Sequence, residues 1–137
     1  MLSPTVSTLR LFLHVLGATV WVGGQLVLAG LVPVVRKEAP DATRAVARAF
    51  ARLAWPAFAL LVATGIWNLV EIDVADQSTS YQVTVFVKIA LAMVAAVAVA
   101  IHSIGRSKLA LALGGAIGLL ASLAALYVGV LLRTGLN

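Results

Sequence analysis

The chain has 137 residues, 62% of them hydrophobic and only 11% charged, against roughly 25% charged in soluble domains. Its net charge is +5, its mean hydropathy is +1.07, and it has no cysteine. A soluble fold of this size could not cover so much apolar surface with so little charge, and thiolate metal sites, disulfides and cysteine nucleophiles are excluded outright. The positive balance reads as basic side chains facing anionic lipid head groups. No aromatic-basic patch points to nucleic acid.

Four segments have the roughly 20 mostly apolar residues needed to cross a bilayer. The first runs from about Ser7 to Val35 and is interrupted by His14, Thr19 and Gln25. It lacks the basic start and the small-residue exit of a cleaved leader, so it reads as a retained span. A basic connection follows, with Arg36, Lys37, Arg44 and Arg48 beside Glu38 and Asp41. Pro40-Asp41 is placed to stop one helix and start the next. Arg44, Arg48 and Arg52, four apart, form one stripe on an amphipathic lead-in; it reads either as a lipid-facing basic face or as a substrate-binding one.

The second span runs from about Arg52 to Val70, the third from about Tyr81 to Ile104, and the fourth from about Leu109 to Leu132. Between the second and third lies an acidic loop with Glu71, Asp73 and Asp76. Between the third and fourth lie Arg106 and Lys108. Short basic loops stay in the cytoplasm, so both termini and the acidic loop are expected outside; Arg10 and Arg133 run against this count. Short loops between neighbouring spans predict an all-α, integral-membrane, up-down four-helix bundle in the plasma (inner) membrane. Small residues at every fourth position, Ala110, Gly114, Gly118 and Ser122 on the fourth helix and Ala92, Ala96 and Ala100 on the third, predict close helix contact. That contact serves packing within one bundle or a homodimer face; separately, a purely structural bundle that supports a partner membrane subunit stays open.

Polar side chains inside a membrane are costly and are functional hypotheses by default. His14 and Lys88 each lie about two turns in from the outer end of their helices. Tyr127, Thr64, Trp67 and Asn68 fall at similar depth. His14, Gly17, Trp21, Gly24 and Gln25 share one stripe; Thr64, Asn68 and Glu71 share another; Tyr81, Thr84, Lys88, Ala92, Ala95 and His102 share a third. Turned inward, these stripes predict an outward-opening polar pocket with glycine-lined space beside it. Each residue also has a plainer reading. Lys88 can snorkel to the surface, His14 can be a hydrogen-bonded structural histidine, and His102 sits near the inner boundary. Trp55, Trp67 and Tyr81 read as interfacial anchors; Trp21, at mid-depth, does not.

Several stretches together resemble the copper-resistance protein D (CopD) family of membrane domains. Leu13-His14-Val15-Leu16-Gly17 followed by Val20-Trp21-Val22-Gly23-Gly24 is similar to that family's histidine and tryptophan-glycine cluster. Arg44–Trp67 resembles its arginine-rich lead-in and closing Thr-Gly-aromatic, and Phe86-Val87-Lys88-Ile89-Ala90-Leu91 resembles its lysine-bearing third helix. The resemblance covers most of the chain and implies one CopD-like domain over residues 1–137. More distantly, the pattern is similar to HemJ-type protoporphyrinogen oxidases, where a first-helix histidine and a third-helix lysine are functional and haem is bound; His14 and Lys88 match those positions.

The two resemblances imply different chemistry. Copper(I) transport wants repeated soft donors, and this chain has only Met1 and Met93. Copper(II) at His14, or a site shared with a second copy or a partner protein, stays open. A b-type haem needs one or two axial ligands and a slot between helices. His14 is the candidate metal ligand, Lys88 the second ligand or charge partner, and Trp21, Asn68 and Tyr127 the candidate pocket walls. A haem-dependent oxidoreductase and a cofactor-free structural subunit are the alternatives.

Overall fold

The structure, a computed structural model, describes residues 3–135. All its regular elements are helices, and no strand occurs among the described residues. Four continuous helical stretches, Val6–Glu38, Pro40–Ile72, Thr79–Ile104 and Lys108–Thr134, are long and apolar enough to cross a membrane. This matches the number and order of the expected spans. The chain divides into two compact units, residues 1–72 and 73–137.

In the first unit, α1 (Val6–Ala18) begins at a cap that the sequence supplies. The Thr5 hydroxyl accepts from the Thr8 amide at 3.1 Å, and the Thr8 side chain closes the box on Thr5. Thr19–Gly23 then forms one π-helical turn before α2 (Gly24–Glu38). The wider turn shifts the register so that two successive residues, Trp21 and Val22, are both buried. A single regular helix was expected through this region.

Ala39 breaks from helical geometry, and Pro40–Ala42 makes a short 3₁₀ turn into α3 (Thr43–Ile72). Pro40-Asp41 therefore does separate the two spans. The second span starts nine residues earlier than the apolar run, because the Arg44-Arg48-Arg52 lead-in is continuous with it; all three arginines are exposed. At about 1.5 Å per residue the 30 residues of α3 extend some 45 Å, more than a hydrocarbon core of roughly 30 Å requires.

α1 and α3 run antiparallel, as their contacts show. Going down α1, Arg10 meets Glu71, His14 meets Thr64, Gly17 meets Ala57 and Leu61, and Trp21 meets Phe58 and Trp55. The seam closes at Gly17, where an added Cβ would lie 3.0 Å from the Ala57 carbonyl oxygen. Gly24 is similarly filled by the Phe50 ring. The space expected beside Gly17 and Gly24 is thus occupied by α3, while Gly23 stays open.

The second unit is a helical hairpin. Asp73, with φ 48°, turns the chain out of α3, and Ser78 caps α4 (Thr79–Ile104) through the Tyr81 amide. Ser107 caps α5 (Lys108–Thr134) in the same way. Gly114 and Gly118 bring α5 against Ala98, Val99, His102 and Ala95 of α4. The small stripe on α5 is used as expected. The α4 stripe that meets it is Ala95, Ala98 and His102, one position round from Ala92, Ala96 and Ala100, which are only half-buried. His102 also donates from Nδ1 to the Leu111 carbonyl, stapling the two helices near their connection.

A Cβ at Gly114 would lie 2.8 Å from both the Ala98 carbonyl oxygen and the His102 amide nitrogen, which are backbone atoms that cannot rotate away. Gly114→Leu should therefore destabilise the hairpin by about 1–3 kcal/mol. Gly30→Ala in α2, where nothing lies within 4 Å, should leave the protein's stability unchanged or slightly better. Unfolding in mixed micelles by denaturing detergent measures both.

Candidate functional site

Among the polar side chains inside the spans, one group returns a hydrogen bond to its own helix. Thr19 Oγ1 donates to the Val15 carbonyl at 2.9 Å, Thr84 to Ser80 at 2.7 Å, and Ser103 to Val99 at 2.8 Å. Gln25 Nε2 donates to the Trp21 carbonyl at 2.9 Å, beside the π turn. Such back-bonding satisfies the group without creating a site.

The second group lies along the α1–α3 seam. His14 Nδ1 is 2.8 Å from Thr64 Oγ1. The Thr64 hydroxyl is buried and points its hydrogen at the Leu60 carbonyl, 2.7 Å away, with the Leu61 carbonyl at 3.3 Å. A hydroxyl has one hydrogen, so its remaining role toward His14 is acceptor. Nδ1 therefore carries a proton, as in the arrangement by which a second residue orients a metal-binding histidine. Gly65 adjoins the ring; a Cβ there would lie 3.7 Å from His14 Cε1.

Asn68, one turn beyond Thr64, has a buried Oδ1 with no hydrogen-bond partner. A further turn on, Arg10 Nη1 lies 3.3 Å from Glu71 Oε2. The Arg10 side chain is only 9% exposed and Glu71 49%. The pair is a charge contact without hydrogen-bond alignment, since Arg10 Nη1 and Nε both lack a hydrogen-bond partner. Glu71 Oε1 accepts from Trp67 Nε1 at 3.3 Å. Trp67, expected as an anchor, thus also holds the carboxylate.

Trp21 is 3% exposed and packs on Phe58, with centroids 4.6 Å apart, and edge-on against Trp55 at 5.6 Å. Trp55, read as an interfacial anchor, is 37% exposed and joins this aromatic cluster. The cluster forms an apolar floor below the His14–Thr64 pair.

His14, Trp21 and Asn68 belong to the first unit, Lys88 and Tyr127 to the second. Within the second unit the Lys88 side chain lies over Gly129, where a Cβ would come 3.1 Å from Nζ. Lys88 is half-buried, and Tyr127 is 70% exposed. The sequence reading placed His14, Thr64, Asn68 and Glu71 on facing stripes, and the first unit brings them together. It missed Arg10, which it counted only as a charge against the orientation rule. A charge in the second turn of an apolar helix was the signal that could have marked it.

Among the described residues no three His, Cys, Asp or Glu side chains gather where they could hold a metal ion. No family model, curated protein or solved structure matches the chain.

Replacing Thr64 by Val keeps the shape and removes the acceptor. In ¹⁵N-labelled protein the His14 imidazole should show a protonated Nδ1 in the wild type. In Thr64→Val that preference should be lost, with a mixture of tautomers or a shift to protonated Nε2. An unchanged spectrum would mean Thr64 does not orient the ring.

Proposed function

We propose that this chain is a multi-pass plasma-membrane protein, similar to the CopD family, that binds a b-type haem through His14. One observation carries the reading: a histidine inside an apolar helix is held through Nδ1 by a threonine on the neighbouring helix. Haem, when bound, supplies one-electron chemistry. The chain's own residues would hold and tune it. His14 offers Nε2, Thr64 fixes the ring, and Asn68 Oδ1 is a polar wall still in need of a donor. Trp21, Phe58 and Trp55 exclude water below.

Lys88 is proposed as second ligand or charge partner and Tyr127 as a pocket wall, each to be tested by its own substitution. Copper handling, which the CopD resemblance implies, requires donors beyond His14. Those would come from a second copy or from a partner membrane subunit. The proposed orientation puts both termini outside, with basic residues Arg36, Lys37, Arg106 and Lys108 in the cytoplasm.

Visible spectra of detergent-purified protein, oxidised and reduced, with metal analysis on the same sample, test the cofactor. A Soret band with sharp reduced bands is expected, lost in His14→Ala and weakened in Lys88→Ala. Bound copper without those bands would move the case to copper handling. Neither cofactor, even after reconstitution, would leave a structural subunit. Orientation has a clean test because the chain lacks cysteine. In intact cells an impermeant maleimide should label Ala75→Cys, and should label Ala39→Cys only after permeabilisation; the reverse pattern would invert the topology.

A further inference from the structure

We infer that one side of the α4–α5 hairpin binds an anionic phospholipid, with an acyl chain in the groove between the helices and the phosphate at Arg106 and Lys108. The inference rests on the membrane reading of the chain and not on any cofactor.

The groove has a volume of about 340 Å³ and is lined by the second unit alone. Its floor is made of small residues, Ala98 from α4 and Ala110 and Gly114 from α5. Ala98 and Gly114 are buried there because the two backbones meet at that point. Ile101, Leu113 and Ile117 stand as walls, each about half exposed. The opposite side of the same seam is filled by the His102 ring, which lies against Gly115 and bonds to Leu111. The two helices therefore leave a slot on one side only. From Ser107 to Ile117 the slot follows α5 for about 15 Å at roughly 1.5 Å per residue, which is the depth of one leaflet of a hydrocarbon core some 30 Å thick. A furrow of that length, with an apolar lining and walls open to the side, has the shape of a straight hydrocarbon chain.

One end of the slot is polar. Ser107 belongs to the lining, and Arg106 and Lys108 flank it in the chain, both exposed. Neither makes an ion pair or a side-chain hydrogen bond among the described residues. Their own helices cannot supply a counter-charge. From Gln77 to Asn137 the sequence holds Lys88, Arg106, Lys108 and Arg133 and no aspartate or glutamate. An anion from outside the hairpin has to neutralise the turn, and at the edge of the apolar slot that anion is a lipid phosphate. A zwitterionic lipid carries its own ammonium beside the phosphate, so the pair of cations selects a headgroup with net negative charge.

The test is native mass spectrometry of the whole, delipidated chain, titrated in detergent with phosphatidylglycerol and with phosphatidylcholine of identical acyl chains. The first phosphatidylglycerol should bind about tenfold or more tightly than the first phosphatidylcholine, as two cations beside one phosphate would give. Arg106→Gln with Lys108→Gln should remove that preference and leave phosphatidylcholine binding as it was. Arg44→Gln with Arg48→Gln removes the same charge from an exposed stripe of the first unit and should keep the preference. Leu113→Ala, which takes down one wall, should weaken both lipids severalfold. Leu120→Ala, equally exposed to lipid but outside the groove, should weaken neither. Equal binding of the two lipids, or a preference that survives Arg106→Gln with Lys108→Gln, overturns the headgroup site. A preference lost as fully from Arg44→Gln with Arg48→Gln also overturns it, since general attraction would then suffice. Undiminished binding by Leu113→Ala overturns the groove. A chain that retains neither lipid and flies as a dimer would give the groove to a second copy and overturn the proposal.

Discussion

The need of every polar atom for a partner in an apolar medium organises what can be read from this protein. Water is absent from a hydrocarbon core, so each side chain there must satisfy itself on its own helix, cross to a neighbour, or await a ligand. Thr19, Gln25, Thr84 and Ser103 take the first course. His14 and Thr64 take the second. Arg10 and Asn68 complete neither. Of the eight side chains sorted this way, the four that cross to a neighbour or stay unmet lie on the α1–α3 seam, while His102 crosses between α4 and α5.

That seam exists because glycine lets the backbones approach. Gly17 puts α1 against the Ala57 carbonyl and Leu61, and this approach is what brings Nδ1 of His14 within reach of a short threonine side chain. The π turn at Thr19–Gly23 then resets the register and sends Trp21 and Val22 inward together, which seats the aromatic cluster below the histidine. A Cβ at position 17 would push against backbone on α3 and strain the same hydrogen bond. Packing and ligand orientation are therefore one constraint here.

Much of this was legible in the sequence, for a physical reason. Apolar length marks a span whatever its partner, so the four stretches and their order follow from composition alone. Period-3.6 stripes put His14 on one face and Thr64, Asn68 and Glu71 on another, and those faces do meet in the first unit. The Arg44-Arg48-Arg52 stripe was legible as an amphipathic lead-in, and α3 does begin ahead of its apolar run, at Thr43. Two features were not legible. The π turn leaves no compositional mark. Arg10 was weighed as a surface charge because its partner Glu71 lies at the far end of the next span, and no local pattern links the two.

The seam also bears on the choice between copper and haem. Copper(I) sites are made by converging soft donors, and copper(II) sites by several nitrogen and oxygen donors around one point. The α1–α3 seam instead spreads its groups along a line: an aromatic floor, one oriented imidazole, an amide, then a cation near the end of the helix. A line of that kind cannot enclose an ion. The proposed metalloporphyrin, an extended molecule with an apolar and an acidic edge, matches a line of that kind better than a bare ion does.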